Sequence, residues 1–194
     1  MPDDWTKALG FWTVGIQYLH LVQNVSNETH HQGNLHFVII DDILTESEYA
    51  EQTKWSDHNL VIPLLFNFYH GLEVILKGFS FSSGLAMCYS HKLSDLLRNF
   101  KSQYPSNDLI PLLEKYILQN HLPIILLEFC TTSRITIDDY YQSLKYPEST
   151  RGLRYDHHPL KYRAEEGASF FAELRDDIEA IRKKTVRLGR SLCP

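Results

Sequence analysis

Residues 60–77, LVIPLLFNFYHGLEVILK, constrain this chain more than any other stretch. Drawn as a helix, they are apolar almost all the way round. Such a helix is stable in water only when other elements wrap it. One line interrupts the apolar surface. At 3.6 residues per turn, positions 66, 70, 73 and 77 share a narrow stripe, which carries His70, Glu73 and Lys77. Val61, Leu65, Phe68, Leu72, Leu76 and Phe79 lie roughly opposite, and Ile62, Tyr69 and Val74 flank the line. Ser56, Asp57 and Asn59 offer caps, Pro63 is tolerated in a first turn, and Gly78 suits a left-handed helix end.

Glu73 precedes Lys77 in the favourable i,i+4 orientation, worth ~0.2–0.5 kcal/mol when exposed. If both are buried, each charge needs a partner. His91 can meet the stripe from the next helix, because the 78–90 loop is long enough to fold back. Three readings stay open at this point: a solvated face, a buried structural network, or a reactive site.

The remaining pattern is helical too. Trp5, Leu9, Trp12, Ile16, Leu19 and Val22 repeat at helical spacing within 3–23, and NVSNETHHQGN (24–34) reads as a polar loop. LHFVIIDDIL (35–44) fits a short strand or a buried helical turn equally. Residues 45–59 read as surface turn or weak helix. Ser90 precedes a helix carrying Leu93, Leu96, Leu97 and Phe100, and further helices follow over 109–119 and 122–130, the latter opened by Pro123. Thr136 caps IDDYYQSLK, and Asp138 and Asp139 read as complements of that helix's dipole. Residues 146–162 are irregular, and a last helix runs over about 164–188, ending in a basic stretch that suits its own dipole. The expectation is an all-α, single-domain helical bundle over residues 1–194, with at most a minor β-hairpin.

The composition narrows the function classes. Across 194 residues, 43% are hydrophobic and 22% charged, with a net charge of −5, which argues against nonspecific wrapping of nucleic acid. Three Cys with no C-x-x-C exclude a disulfide scaffold and a zinc finger, and suit a reducing compartment. MPDDWTKALG has acids where a secretory signal needs basic residues, and the apolar runs are short, so a cytoplasmic protein without a membrane span is expected. Ten His raise the question of metal. His30, His31 and His36 form one cluster; Asp156, His157 and His158 form another. Adjacent His rarely ligate one ion and no H-E-x-x-H occurs, so neither metal nor cofactor is expected, and a His-based metallohydrolase is the outlying alternative. No glycine-rich phosphate loop or nucleophile elbow is present.

RGLRYDHHPLKYR mixes Arg151, Arg154, Lys161 and Arg163 with Tyr155, Tyr162, His157 and His158. Cations hold phosphate and rings stack on unpaired bases, so single-stranded RNA is a plausible partner; a solvated loop with inward Tyr is the plainer alternative.

LLFNFYHGLEVILKGF followed by SHKLSDLLRNF resembles the helical core of HEPN-domain proteins, in the subset where a His-x-x-Glu-x-x-x-Lys helix precedes a His-x-Leu helix. The matching positions are His70, Glu73, Lys77, His91 and Leu93. SLKYPEST resembles a Tyr-Pro segment further along such chains. The resemblance spans residues 60–190. It implies a helical homodimer of a stress, toxin–antitoxin or phage-defence system, with an antitoxin or other protein partner, and it implies a metal-independent endoribonuclease. That activity is marked in the family by Arg, four to six residues, then His. Here Arg151 with His157 or His158 has that spacing: Arg would hold phosphate charge and His would move a proton. Pro147, Gly152 and Pro159 depart from the family pattern by breaking regular helix there. Under this reading His70, Glu73, Lys77 and His91 form a polar floor, with Arg154 and Tyr155 in substrate contact. The alternative is a noncatalytic HEPN-like dimerisation or partner-binding module.

Overall fold

The computed structural model describes residues 4–37, 44–83 and 90–193. The order is α1 (Asp4–His31), α2 (Glu46–Thr53), α3 (Asp57–Ser82), α4 (Leu93–Gln103), α5 (Ile110–Ile117), α6 (Ile124–Ser133), α7 (Tyr140–Ser143) and α8 (Ala164–Ser191). Single 3-10 turns fall at Gln119–His121, Ile137–Asp139 and His158–Leu160. Among the described residues the only extended pairing is one antiparallel bridge, Glu148 with Arg154. The chain is an all-α helical bundle.

The apolar helix sits at the centre. Leu65, Phe68, Leu72, Ile75 and Leu76 of α3 are fully buried. α1 lies along one side at very short range, because both helices present glycine at the crossing. A Cβ on Gly15 would lie 2.6 Å from Ile75 Cγ1 and 3.0 Å from the Gly71 carbonyl oxygen. α8 then runs antiparallel to α1. His30 Nδ1 meets the Ala168 carbonyl at 3.1 Å, Arg175 reaches Asn27, Arg182 reaches Gln23, and Gly189 faces the Trp12 ring. On another side of α3, α4 packs through Leu93, Leu96, Leu97 and Phe100. Lys115 and Tyr116 of α5 bond Asp177 of α8, the latter at 2.7 Å, which ties those helices together.

Two helices outrun their expected ends. α1 continues through the polar-looking 24–31 because Ser26 and Thr29 are fully buried, so small hydroxyl residues extend its inward stripe. It stops where Gly33 and Asn34 take positive φ of 74° and 53°. α3 does not end at Gly78. It runs to Ser82 with Phe79 and Ser80 buried, and Gly78 serves close approach: a Cβ there would lie 2.7 Å from the Trp12 indole. Pro63 is therefore inside the helix, on its exposed side.

Asp57 locks three elements. Its buried carboxylate accepts the backbone N–H groups of Tyr162 and Arg163, both at 2.7 Å, and the Asn34 amide at 2.9 Å. Asn34 Oδ1 in turn accepts the Asp57 N–H at 2.6 Å. The end of α1, the start of α3 and the start of α8 meet there. α4 is held in a similar way from outside. Ser90 Oγ accepts the Lys92 N–H at 3.1 Å, but Asp138 receives the Ser94 N–H at 2.8 Å and its hydroxyl at 2.5 Å. Asp139 completes a capping box with Thr136 at its own helix start, whereas Asp138, expected to complement the same dipole, is engaged by Ser94 of α4. α6 begins immediately after Pro123. The ambiguous 35–44 stretch lies mostly outside the described residues.

α3 is long and apolar enough to cross a bilayer, and 61% of its apolar window is buried by the rest of this chain.

The same substitution in α1 has opposite signs at two glycines. Gly10 has open space around it, so Gly10→Ala stabilises by about 0.5–1 kcal/mol through helix propensity. Gly15→Ala forces Ile75 and the Gly71 backbone apart and costs about 1–3 kcal/mol. Urea unfolding of both variants measures this.

Candidate functional site

Glu73 lies in the middle of α3 and is 2% exposed. A carboxylate at that depth needs donors. It has three. Lys77 Nζ donates to Oε1 at 2.7 Å, His91 Nδ1 meets the same oxygen at 2.9 Å, and the Tyr140 hydroxyl donates to Oε2. Lys77 comes from one turn further along α3. His91 precedes α4, and Tyr140 opens α7. The stripe is therefore no solvated face. It is a polar network that pins two other segments to the central helix.

Burial alone would raise Glu73. The bonds from Lys77 and Tyr140 and the nearby charge of Lys77 and His91 overcome that and hold the carboxyl below its ordinary value of 4.5. Burial, then the bond to Glu73, push Tyr140 upward, so its hydroxyl stays a donor. With Glu73 ionised, His91 Nδ1 carries the hydrogen. The His91 side chain is 64% exposed. The imidazole is thus oriented by a carboxylate at one nitrogen while most of the ring faces solvent, an arrangement suited to exchanging protons with a ligand. His70 is half-buried and edge-on to Tyr18 at 4.8 Å. Burial lowers its pKa, so it stays neutral below the usual histidine range.

An aromatic face adjoins this network. The Tyr141 ring lies 5.7 Å from His91, and Lys145 sits over the rings of Tyr141 and Tyr146 at 5.0 and 5.3 Å. Tyr141 and Tyr146 are both exposed. With Gln142, Glu148, Ser149 and Thr150 they line an open groove of about 460 Å³.

The residues of 146–162 divide among several places. Arg151 is exposed at the tip of a tight turn, where its N–H donates to Ser149 Oγ at 3.3 Å. Arg154 is exposed opposite Glu148. Tyr155 is buried, so its ring packs inward. His157 is half-buried, stacked on Phe129 at 5.4 Å with Nε2 2.6 Å from the Ser143 carbonyl. His158 is exposed near Tyr162, which itself stacks on His58 at 4.7 Å. Arg163 is engaged by Glu128 and Glu166. Among the described residues Arg151 shares no hydrogen-bond or ring partner with His157 or His158, whereas Glu73, Lys77 and His91 converge. The loop adjoins the network at α7, through the groove it shares with Tyr141 and through the His157 contact to Ser143.

Tyr140, Tyr141, Lys145 and Tyr146 had no assigned role in the sequence reading. Their signal was the pair of tyrosines opening a short helix, with Lys-Tyr one turn on. Among the described residues no three His, Cys, Asp or Glu side chains converge as a metal site requires. Comparison with protein-family models, curated proteins and solved structures returns no match.

Both pKa shifts make acid destabilising. Below the ordinary values of 6.5 for His70 and 4.5 for Glu73, the unfolded chain binds protons that the folded chain does not. Stability is therefore full above the histidine range and falls in two stages as the pH drops. His70→Asn flattens the first stage only, as thermal melts across pH 7 to 4 will record. Glu73→Ala at neutral pH strands Lys77 and costs about 3–5 kcal/mol.

Proposed function

We propose that this chain is an HEPN-like RNA-binding protein that cleaves single-stranded RNA without metal, with His91 as the proton-transfer group. The observation that carries the reading is the 2.9 Å contact between His91 Nδ1 and the buried Glu73 carboxylate, on a ring otherwise exposed beside an aromatic groove. Tyr141 and Tyr146 stack on unpaired bases, and Lys145 between them meets phosphate. His91 takes the proton of a ribose 2′-hydroxyl as that oxygen attacks the adjacent phosphorus. The bond to the 5′-oxygen breaks, and the imidazolium returns a proton to it. The products are a 2′,3′-cyclic phosphate and a 5′-hydroxyl. Lys77, one hydrogen bond from Glu73, adds positive charge beneath the site. Arg151, on the turn that flanks the groove, is a phosphate contact rather than the partner of His157. The setting is cytoplasmic, in a stress or phage-defence system, with a homodimer or a protein partner such as an antitoxin.

A second reading, a noncatalytic HEPN-like interaction module, is favoured by His157 alone. Its ring is committed to Ser143 and Phe129, so the Arg-x5-His spacing is not assembled into one site.

Labelled single-stranded RNA in chelator separates the two. Wild type is expected to cleave it, leaving cyclic phosphate ends. His91→Ala, an exposed change, lowers the rate by about 100-fold or more with RNA affinity retained. Tyr141→Ala weakens binding by about 1–3 kcal/mol. Binding without cleavage by wild type replaces this reading with the interaction module, and undiminished cleavage by His91→Ala removes His91 from the chemistry.

A further inference from the structure

Away from the aromatic groove, the described residues of the first turns of α1 and the last turns of α8 leave an open groove of about 500 Å³. Its size is that of a small-molecule site. Trp5, Leu9, Trp12 and Ile16 form one wall, and Val186 and Gly189 the other. The eleven residue steps from Trp5 to Ile16 span about 16 Å of helix, so the groove is long rather than round. It stays open because Gly189 carries no side chain: a Cβ there would lie 3.1 Å from the Trp12 ring.

The polar groups are placed unevenly. α8 runs antiparallel to α1, which brings Arg190 and Cys193 to the Trp5 end and Thr185 to the Ile16 end. Among the described residues of the lining Arg190 is the one cation, and none of them is a carboxylate. Among the described residues Arg190 has no side-chain hydrogen bond or ion pair. Thr185 is 1% exposed, and its hydroxyl has no hydrogen-bond partner among the described residues; neither has the Trp5 indole N–H. Leu9 and Val186 remain 43% and 37% exposed at the rim. An apolar channel of this length with a lone guanidinium at one end is complementary to a straight hydrocarbon chain ending in an anion.

We propose that the α1/α8 groove binds a monomeric medium-chain fatty acid, its carboxylate on Arg190 and its tail along Trp5, Leu9, Trp12 and Ile16. The site is remote from His91 in sequence and uses other elements, so its fate is independent of the RNA reading.

The probe is decanoate, kept below its aggregation concentration, with decanol as the neutral control. Decanoate is expected to bind saturably, to change tryptophan fluorescence and to slow alkylation of Cys193 in peptides read by mass spectrometry. Arg190→Gln, an exposed change at a helix end, weakens decanoate about tenfold and leaves decanol unchanged. Leu9→Glu abolishes binding of both. Equal affinity of decanoate for wild type and Arg190→Gln overturns the proposal, as does the absence of saturable binding. Concentration-dependent dimerisation that Leu9→Glu abolishes and decanoate leaves unchanged makes a second copy the occupant and overturns it too.

Discussion

The site side of this bundle depends on one buried carboxylate, Glu73, as the junction of α1, α3 and α8 depends on another, Asp57. Glu73 is carried into the core by the apolar helix on which it sits, and an ion there is tolerated only with its donors in place. Two of the three donors come from elsewhere in the chain: His91 from the segment before α4, and Tyr140 from α7. Their cooperation restricts how α4 and α7 dock on α3. The cost of burying Glu73 is thereby converted into a choice of arrangement for those elements.

The functional geometry follows from that choice. Tyr140 faces inward to Glu73, and the next residue, Tyr141, faces outward to His91 and the groove. Lys145 and Tyr146 come one turn later. A rigid internal bond thus fixes an external stacking face, which is how a site on a short helix keeps its precision. The packing of α1 rests on a different device. Gly15 and Gly71 bring α1 and α3 together, Gly78 and Gly189 make room for Trp12 against α3 and α8, and the last of these leaves the α1/α8 groove open.

The fold class was legible because apolar residues recur at helical spacing in α1, α4, α5 and α8, while residues 60–77 are apolar enough to require a helix wrapped by the others. The convergence of Glu73, Lys77 and His91 was legible too, since helical spacing places the first two together and the loop length permits the third. Tyr140 was not. A tyrosine donor has no periodicity that marks it, and its partner lies 67 positions away. The continuation of α1 to His31 was hidden because Ser26 and Thr29 look like loop residues while facing the core. Gly78 was misleading in the same way: read as a helix end, it is a contact with Trp12. The 146–162 segment could be flagged for its Arg, His and Tyr content, but its Pro and Gly residues say nothing of where each side chain goes, and only the folded chain separates buried Tyr155 from exposed Arg154.

The central claim is that ionised Glu73 fixes the His91 tautomer and leaves the outer nitrogen free for proton transfer. Long-range proton–nitrogen NMR of the histidine rings at a pH where His91 is neutral tests it directly. The account predicts hydrogen on Nδ1 and a bare Nε2, with the preference lost in Glu73→Gln. Hydrogen on Nε2, or an averaged ring unchanged by that substitution, would contradict it.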